Sequence, residues 1–338
     1  MTGWMSEVQS SVEARLAAFF DGERAVLTEL AGESEMLVAQ IEALTLRGGK
    51  RLRPAVLYAG YRSVQTDGRL IDVVDACAGL ELLQSYLLIH DDWMDNDDER
   101  RGGPSVHTAL GQDTGDAHLG AALAVLAGNL ACAWSWRLFR DGAGQASDEA
   151  LRIVTQMHEE VLVGQQLDLL AVEDVSRMHQ LKTGSYTLRG PMSLGAALGG
   201  GDEAQQQALS AFATPLGEAF QIRDDLLGTF GDPGATGKPA GNDLRAGKRT
   251  SLLAAAERKL DEGAFTPIAA VFGVADARDD AVGQAIRCLE ESGVREEVEG
   301  RLEALIRQAE SGLDAAPLAD PGTTMLRELA QRLAYRKV

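Results

Sequence analysis

Apolar residues recur at three- and four-residue spacing along nearly the whole chain, which is the period of a helix with one buried face. The pattern predicts helices over Val8–Phe20, Ala25–Leu46, Pro54–Val64, Ile71–His90, Ala117–Phe139, Glu149–Leu170, Ala204–Leu227, Leu252–Lys259, Asp279–Ser292 and Val294–Ala309. Breaks are expected where glycine and proline gather: Gly48-Gly49, Gly102-Gly103-Pro104, Gly199-Gly200-Gly201 and Gly231 to Gly241. Alternating Val/Ile/Thr runs and hairpin dipeptides are almost absent, so strands are not expected. The reading is an all-α fold, with residues 1–338 forming one large helical bundle around a central apolar cavity. The Gly- and Pro-rich segment from Phe230 to Lys248 is expected to serve as a lid.

Composition narrows the class. With 338 residues and 45% hydrophobic positions the chain can bury a substantial core. Its 51 acidic and 32 basic residues give a net charge of −19, which argues against nucleic acid or an anionic membrane surface as partner. Cys77, Cys132 and Cys288 are odd in number, far apart and set in apolar helical sequence, as expected of reduced thiols in a cytoplasmic protein. The N-terminus shows no basic and then hydrophobic leader. Ala117–Trp136 is uncharged and long enough to span a bilayer, but its Ala, Gly, His118, Asn129 and Ser135 suit a buried central helix better than lipid, so no integral membrane protein is expected.

Against that acidic background two patches stand out. Ile89-His90-Asp91-Asp92-Trp93-Met94-Asp95 runs into Asn96-Asp97-Asp98-Glu99 and turns basic at Arg100-Arg101-Gly102. Phe220-Gln221-Ile222-Arg223-Asp224-Asp225-Leu226-Leu227 ends another apolar helix in the same way. Asp91 and Asp95 share a helix face, where each like-charge pair costs about 0.2–0.5 kcal/mol. A divalent cation would offset six acids within nine residues, and hard carboxylate oxygens suit Mg²⁺. Gly48-Gly49-Lys50-Arg51-Leu52-Arg53-Pro54 places three cations on a turn that opens a helix, either as a phosphate site or as solvated charges at a helix start. Arg100 and Arg101 either serve a ligand or neutralise Asp97 and Asp98.

Taken together, Gly-Gly-Lys-Arg-Leu-Arg-Pro (48–54), Asp-Asp-x-x-Asp (91–95) with Arg100-Arg101-Gly102, Lys182-Thr183, Phe220-Gln221-Ile222-x-Asp224-Asp225, Gly237-Lys238-Pro239 and Asp243-Leu244-x-x-Gly247-Lys248-Arg249-Thr250 resemble the trans-isoprenyl diphosphate synthases of the polyprenyl synthetase family, in order and spacing over about residues 35 to 260. The resemblance implies a prenyltransferase. In it Asp91 and Asp95 hold two Mg²⁺ ions on an allylic diphosphate and Asp224 holds a third. Arg100, Lys182 and Lys248 grip the same diphosphate with Lys238 nearby, while Lys50, Arg53, Arg101 and Gln84 bind the diphosphate of isopentenyl diphosphate. Thr183 and Gln221 offer oxygens to a developing cation, and the protein is expected to be a homodimer. Gly228 departs from the pattern, standing where the second patch usually has its third acid, one turn beyond Asp224.

Tyr86 and Leu87, about one turn before Asp91, are expected to floor the cavity for the growing tail. A bulky Tyr86, without the two-residue insertion of many farnesyl-forming relatives, resembles geranylgeranyl-forming enzymes, so a C20 product is expected ahead of C15. Two other readings keep the same fold. A class I terpene cyclase would leave Lys50, Arg53 and Arg101 without a ligand. A non-catalytic subunit of a heteromeric synthase would be expected to have lost metal acids or Arg100.

Overall fold

The structure is a computed structural model, and it describes residues 3–232, 239–314 and 316–334. The chain divides into two compact units, Met1–Val154 with Leu194–Gly201, and Thr155–Ser193 with Asp202–Val338. Both are helical.

The first unit is built from α1 (Gly3–Leu30), α2 (Glu35–Leu46), α3 (Leu52–Arg62), α4 (Val74–Met94), α5 (Val106–Thr114), α6 (Ala117–Ala143) and the start of α7 (Ser147–Leu169). The expected single helix over Ala25–Leu46 is in fact two. α1 runs on to Leu30, and the chain then breaks at extended Ala31 and a short 3₁₀ turn, Gly32–Ser34. Gly22 is tolerated inside α1 at a cost of about 1 kcal/mol, offset by Glu23 pairing with Arg137 and by Phe19 and Phe20 meeting Trp134 edge-on.

α4 is the axis of this unit. It is apolar nearly all round and therefore buried nearly all round, from Val74 through Leu80, Leu82, Leu83 and Ile89. One line escapes: Gln84, Leu87, Leu88 and Asp91 are half-buried, and the line ends at exposed Asp95. On another side α4 meets α6 through small residues. A Cβ on Gly79 would lie 3.0 Å from the Phe139 ring, and one on Gly128 would overlap the His90 imidazole. α6 is long and apolar enough to cross a membrane by composition. Its Gly120, Ala124, Ala127, Gly128, Ala131, Trp134 and Leu138 are buried in the unit, while Leu119 and Leu126 face outward. It is thus a helix with one face in the core rather than a fully enclosed one. Cys77, Cys132 and Cys288 are all free thiols.

The second unit contains the remainder of α7, α8 (Val175–His179), a π-helical stretch (Gln180–Arg189), the start of α9 (Gly190–Leu198), α10 (Glu203–Phe230), α11 (Asn242–Arg245), α12 (Ser251–Lys259), α13 (Glu262–Ala269), α14 (Asp279–Glu291), α15 (Val294–Asp314) and α16 (Gly322–Ala334). Its core joins Ala219, Ile222 and Leu226 of α10 to Leu252, Leu253 and Ala256 of α12 and to Val294, Val298, Leu302 and Ile306 of α15. The four-residue spacing along α15 is what turns those side chains to one side. Asp202 begins α10 with a capping box shared with Gln205.

Candidate active site

In the first unit α4 carries the acid patch to its end. Asp91 lies in the last turn and Asp95 caps it, its backbone N–H donating to the Asp91 carbonyl at 2.8 Å. The chain then turns through Asn96, at φ +54°, into a hairpin of two-residue strands, β1 (Glu99–Arg100) and β2 (Gly103–Pro104). This ladder is absent from the sequence expectation, since no alternation of four or more residues announces it. Arg101 and Gly102 both have positive φ, as a two-residue hairpin turn demands.

The hairpin sends its two arginines in different directions. Arg100 folds back onto α4. Its Nε donates to Asp92 Oδ1 at 2.6 Å, its Nη2 to Asp97 Oδ2 at 3.3 Å, and Nη2 lies 3.8 Å from Asp91 Oδ2. Asp92 is completely buried, and desolvation raises its carboxyl above the ordinary range despite Arg100. Arg101 reaches instead to the basic turn, donating from Nη1 to the carbonyls of Leu44 (3.3 Å) and Gly48 (3.2 Å). Arg47 pins the hairpin by donating to the carbonyls of Arg100 and Pro104.

The three cations expected on the basic turn separate into two kinds. Gly48, Gly49 and Arg51 all have positive φ, and the twist drives Arg51 inward. Its Nη1 donates to Glu81 Oε2 at 2.6 Å, Nη2 to the Thr45 carbonyl at 2.9 Å, and Nε to Glu13 Oε1 at 3.2 Å. Arg51 is therefore a buried structural cation. Lys50 is exposed and Arg53 half-buried. Burial lowers the Arg101 pKa, Arg51 and Arg53 push the same way, and Glu81 opposes them. Lys50, Arg53 and Arg101 are thus the cations of this region not buried against Glu81, and their shared sign suits an anionic ligand. Gln84 stands one turn beyond Glu81 on α4.

The second unit holds the other predicted residues. Lys182 and Thr183 lie in the π-helical stretch, and the Lys182 Nζ donates to Asp168 Oδ2 of α7 at 2.5 Å. Asp168 was not singled out by sequence, where it is one more acid in an amphipathic helix. On α10, Gln221 donates to Asp225 Oδ1 at 3.0 Å, and Asp225 Oδ2 accepts the Ser251 N–H at 2.8 Å. Asp225 is buried, and desolvation raises its pKa to about 6, with the Ser251 and Gln221 hydrogen bonds and the Lys248 charge opposing. Asp225 thus fixes Gln221 and the start of α12, while Asp224 beside it is half-buried. Lys248 follows α11 and is tied by its N–H to the Asp243 carbonyl at 3.0 Å. Lys238 lies outside the described residues, as does part of the expected lid.

Among the described residues no three His, Cys, Asp or Glu side chains form a closed cage for an ion. The donor set at the end of α4, two carboxylates one turn apart, fits Mg²⁺, which is usually held by one or two carboxylates together with water and phosphate oxygens. His90 and His107 are occupied locally, His90 by Tyr86 and the Val125 carbonyl and His107 by Ser105. Tyr86 is buried, its ring edge-on to His90, and Leu87 is half-buried on the line toward Asp91.

The all-α architecture is the isoprenoid synthase fold, and the chain is a prenyltransferase. The chain belongs to the polyprenyl synthetase family, whose sequence model matches residues 34–289. Its relatives include a short chain isoprenyl diphosphate synthase of Methanocaldococcus jannaschii, 34% identical over 74% of this chain and 75% of the relative. A geranylfarnesyl diphosphate synthase of Aeropyrum pernix is 31% identical over 83% of this chain and 88% of its own length. Among solved structures, geranylgeranyl pyrophosphate synthase from Corynebacterium glutamicum, complexed with isoprenyl diphosphate and magnesium, superposes with a TM-score of 0.90 at 35% identity, covering 98% of this chain and 99% of that one.

Proposed function

We propose that the protein condenses isopentenyl diphosphate with an allylic diphosphate (dimethylallyl, geranyl or farnesyl) and releases diphosphate, with Mg²⁺ as cofactor, three ions per site, and geranylgeranyl diphosphate as product ahead of farnesyl diphosphate. One observation carries the reading. Gln84 and Asp91 lie on one face of α4, two turns or about 10 Å apart, with half-buried Leu87 and Leu88 between them. One end of that line adjoins the arginine site and the other ends in the acid pair. That spacing supports a reading in which two diphosphates, one held by cations and one by metal, take separate places along the same helix.

Each residue then has a task. Lys50, Arg53, Arg101 and Gln84 hold isopentenyl diphosphate by its diphosphate, leaving its double bond toward the acid patch. Asp91, Asp95 and Asp224 are the metal-directed acids, and Arg100, Lys182, Lys238 and Lys248 orient the allylic diphosphate. Mg²⁺, when bound, neutralises the diphosphate oxygens and so makes it a competent leaving group. Thr183 and Gln221 direct oxygens at the carbon that becomes positive as the C–O bond breaks, and apolar walls exclude water from it. The double bond attacks, a carbon–carbon bond forms, and the proton lost from isopentenyl diphosphate passes to the departing diphosphate. No described histidine near the acid patch is placed as a base. The protein is read as a cytoplasmic homodimer of catalytic 338-residue chains.

The test is an assay with isopentenyl diphosphate, each allylic primer and Mg²⁺, with products sized. Condensation that disappears in Asp91→Ala and Asp224→Ala, and on chelation, is the expected result. Hydrocarbon formed from an allylic diphosphate alone would favour a cyclase instead. No turnover under any of these conditions would favour a non-catalytic subunit.

A further inference from the structure

The Lys182-Thr183 pair sits in ten residues of π-helix, a rare conformation, wider than an α-helix, that tends to occur at functional sites. Two neighbouring helices of the same unit hold that stretch through glycines. On one side α7 passes so close at Gly164 that a Cβ there would lie 2.5 Å from the Lys182 Cα and 2.7 Å from the Leu181 carbonyl carbon. These are backbone atoms, so no rotamer change could relieve the overlap. One turn further along α7, Asp168 holds the Lys182 ammonium. On the other side α10 approaches at Gly217, where a Cβ would lie 3.1 Å from the Gly184 Cα. Gly184 itself is roomy, since a Cβ there would meet nothing nearer than 3.8 Å.

We propose that Gly164 is a positioning residue for allylic diphosphate, seating the α7 backbone against Lys182 so that the π-helical stretch presents Lys182 and Thr183 at the height the substrate requires, with Gly217 bracing the opposite side. This rests on the functional reading above. Because the two glycines that touch the stretch and Gly184 within it differ in clearance, the inference predicts a graded response. Gly164→Ala should raise the KM for the allylic substrate about tenfold or more, Gly217→Ala a few-fold, and Gly184→Ala less than about twofold. The KM for isopentenyl diphosphate should stay within about twofold of wild type in all three, since its ligands lie in the other unit.

The experiment is steady-state kinetics for both substrates on the full chain. It is paired with calorimetric binding of an unreactive allylic thiolodiphosphate in Mg²⁺ and with thermal melts. A Gly164→Ala protein that melts lower yet binds the analogue as wild type does overturns the inference. So do a parallel rise of both KM values, or Gly184→Ala weakening allylic binding as much as Gly217→Ala. Should Gly164→Ala fail to fold, the order of Gly217→Ala and Gly184→Ala decides alone. Wild-type protein that does not bind the analogue would instead sink the functional reading.

Discussion

Gly228 and the carboxylate of Asp243 compete for one volume: a Cβ on Gly228 would stand 2.5 Å from Asp243 Cγ and nearer still to Oδ2. The missing third acid of the second patch is therefore matched by an acid that enters from the first turn of α11. Putting the family's acid back should do harm. Gly228→Asp would gain only about 0.3 kcal/mol of helix propensity but lose about 1–3 kcal/mol to overpacking. A net loss of stability in denaturant titration is expected, recovered when Asp243→Gly is added. Equal stability of the single variant and wild type would show that the Asp243 side chain simply yields.

Neighbouring cations on the basic turn should behave oppositely. Arg51→Ala leaves Glu81 buried without its partner and should cost about 3–5 kcal/mol. Lys50→Ala, at an exposed position, should change stability by no more than about 0.5 kcal/mol while raising the KM for isopentenyl diphosphate. Denaturation midpoints and kinetics on the two variants separate the roles, and a stable Arg51→Ala would mean that Glu81 finds another donor.

Tyr86→Ala should lengthen the product by at least one five-carbon unit, because the ring is the bulkiest group in the two turns of α4 that precede Asp91. Loss of its packing against His90 should also cost about 3 kcal/mol. Chain-length separation of the products is the check, and an unchanged distribution would place the cavity floor elsewhere.

His179 is buried, and desolvation lowers its pKa from 6.5 to about 4, with Asp168 and Glu218 opposing and Lys182 and Arg301 adding to the shift. A histidine whose folded pKa lies below its unfolded one contributes no penalty above about pH 6.5. As pH falls from there toward 4 the unfolded chain takes the proton first, so stability is lost, by up to about 3 kcal/mol. His179→Gln should therefore lose less stability than wild type between pH 6.5 and 4. Parallel curves for the two proteins would remove His179 as a source of the acid sensitivity.

Much of this was legible in the residues themselves. Helix after helix followed from apolar spacing, because that spacing is imposed by geometry within a few residues. Asp91 and Asp95 fell on one face for the same reason, and the motif order pointed to the family. The break at Ala31–Ser34 and the π-helical stretch around Lys182 escaped, since both depend on what packs against them: the Arg24 pairs with Glu35 and Glu42 for the first, Gly164 and Gly217 for the second. Residue order and spacing alone account for the helices, the acid pair and the presence of a basic turn. Packing in three dimensions is what turns Arg51 inward while Lys50 stays out, pairs Asp168 with Lys182, and sets Asp243 in the place left by Gly228. Those choices rest on partners 14 to 30 residues away in sequence, and a charge buried in a low-dielectric interior is stable only where its counter-charge already stands.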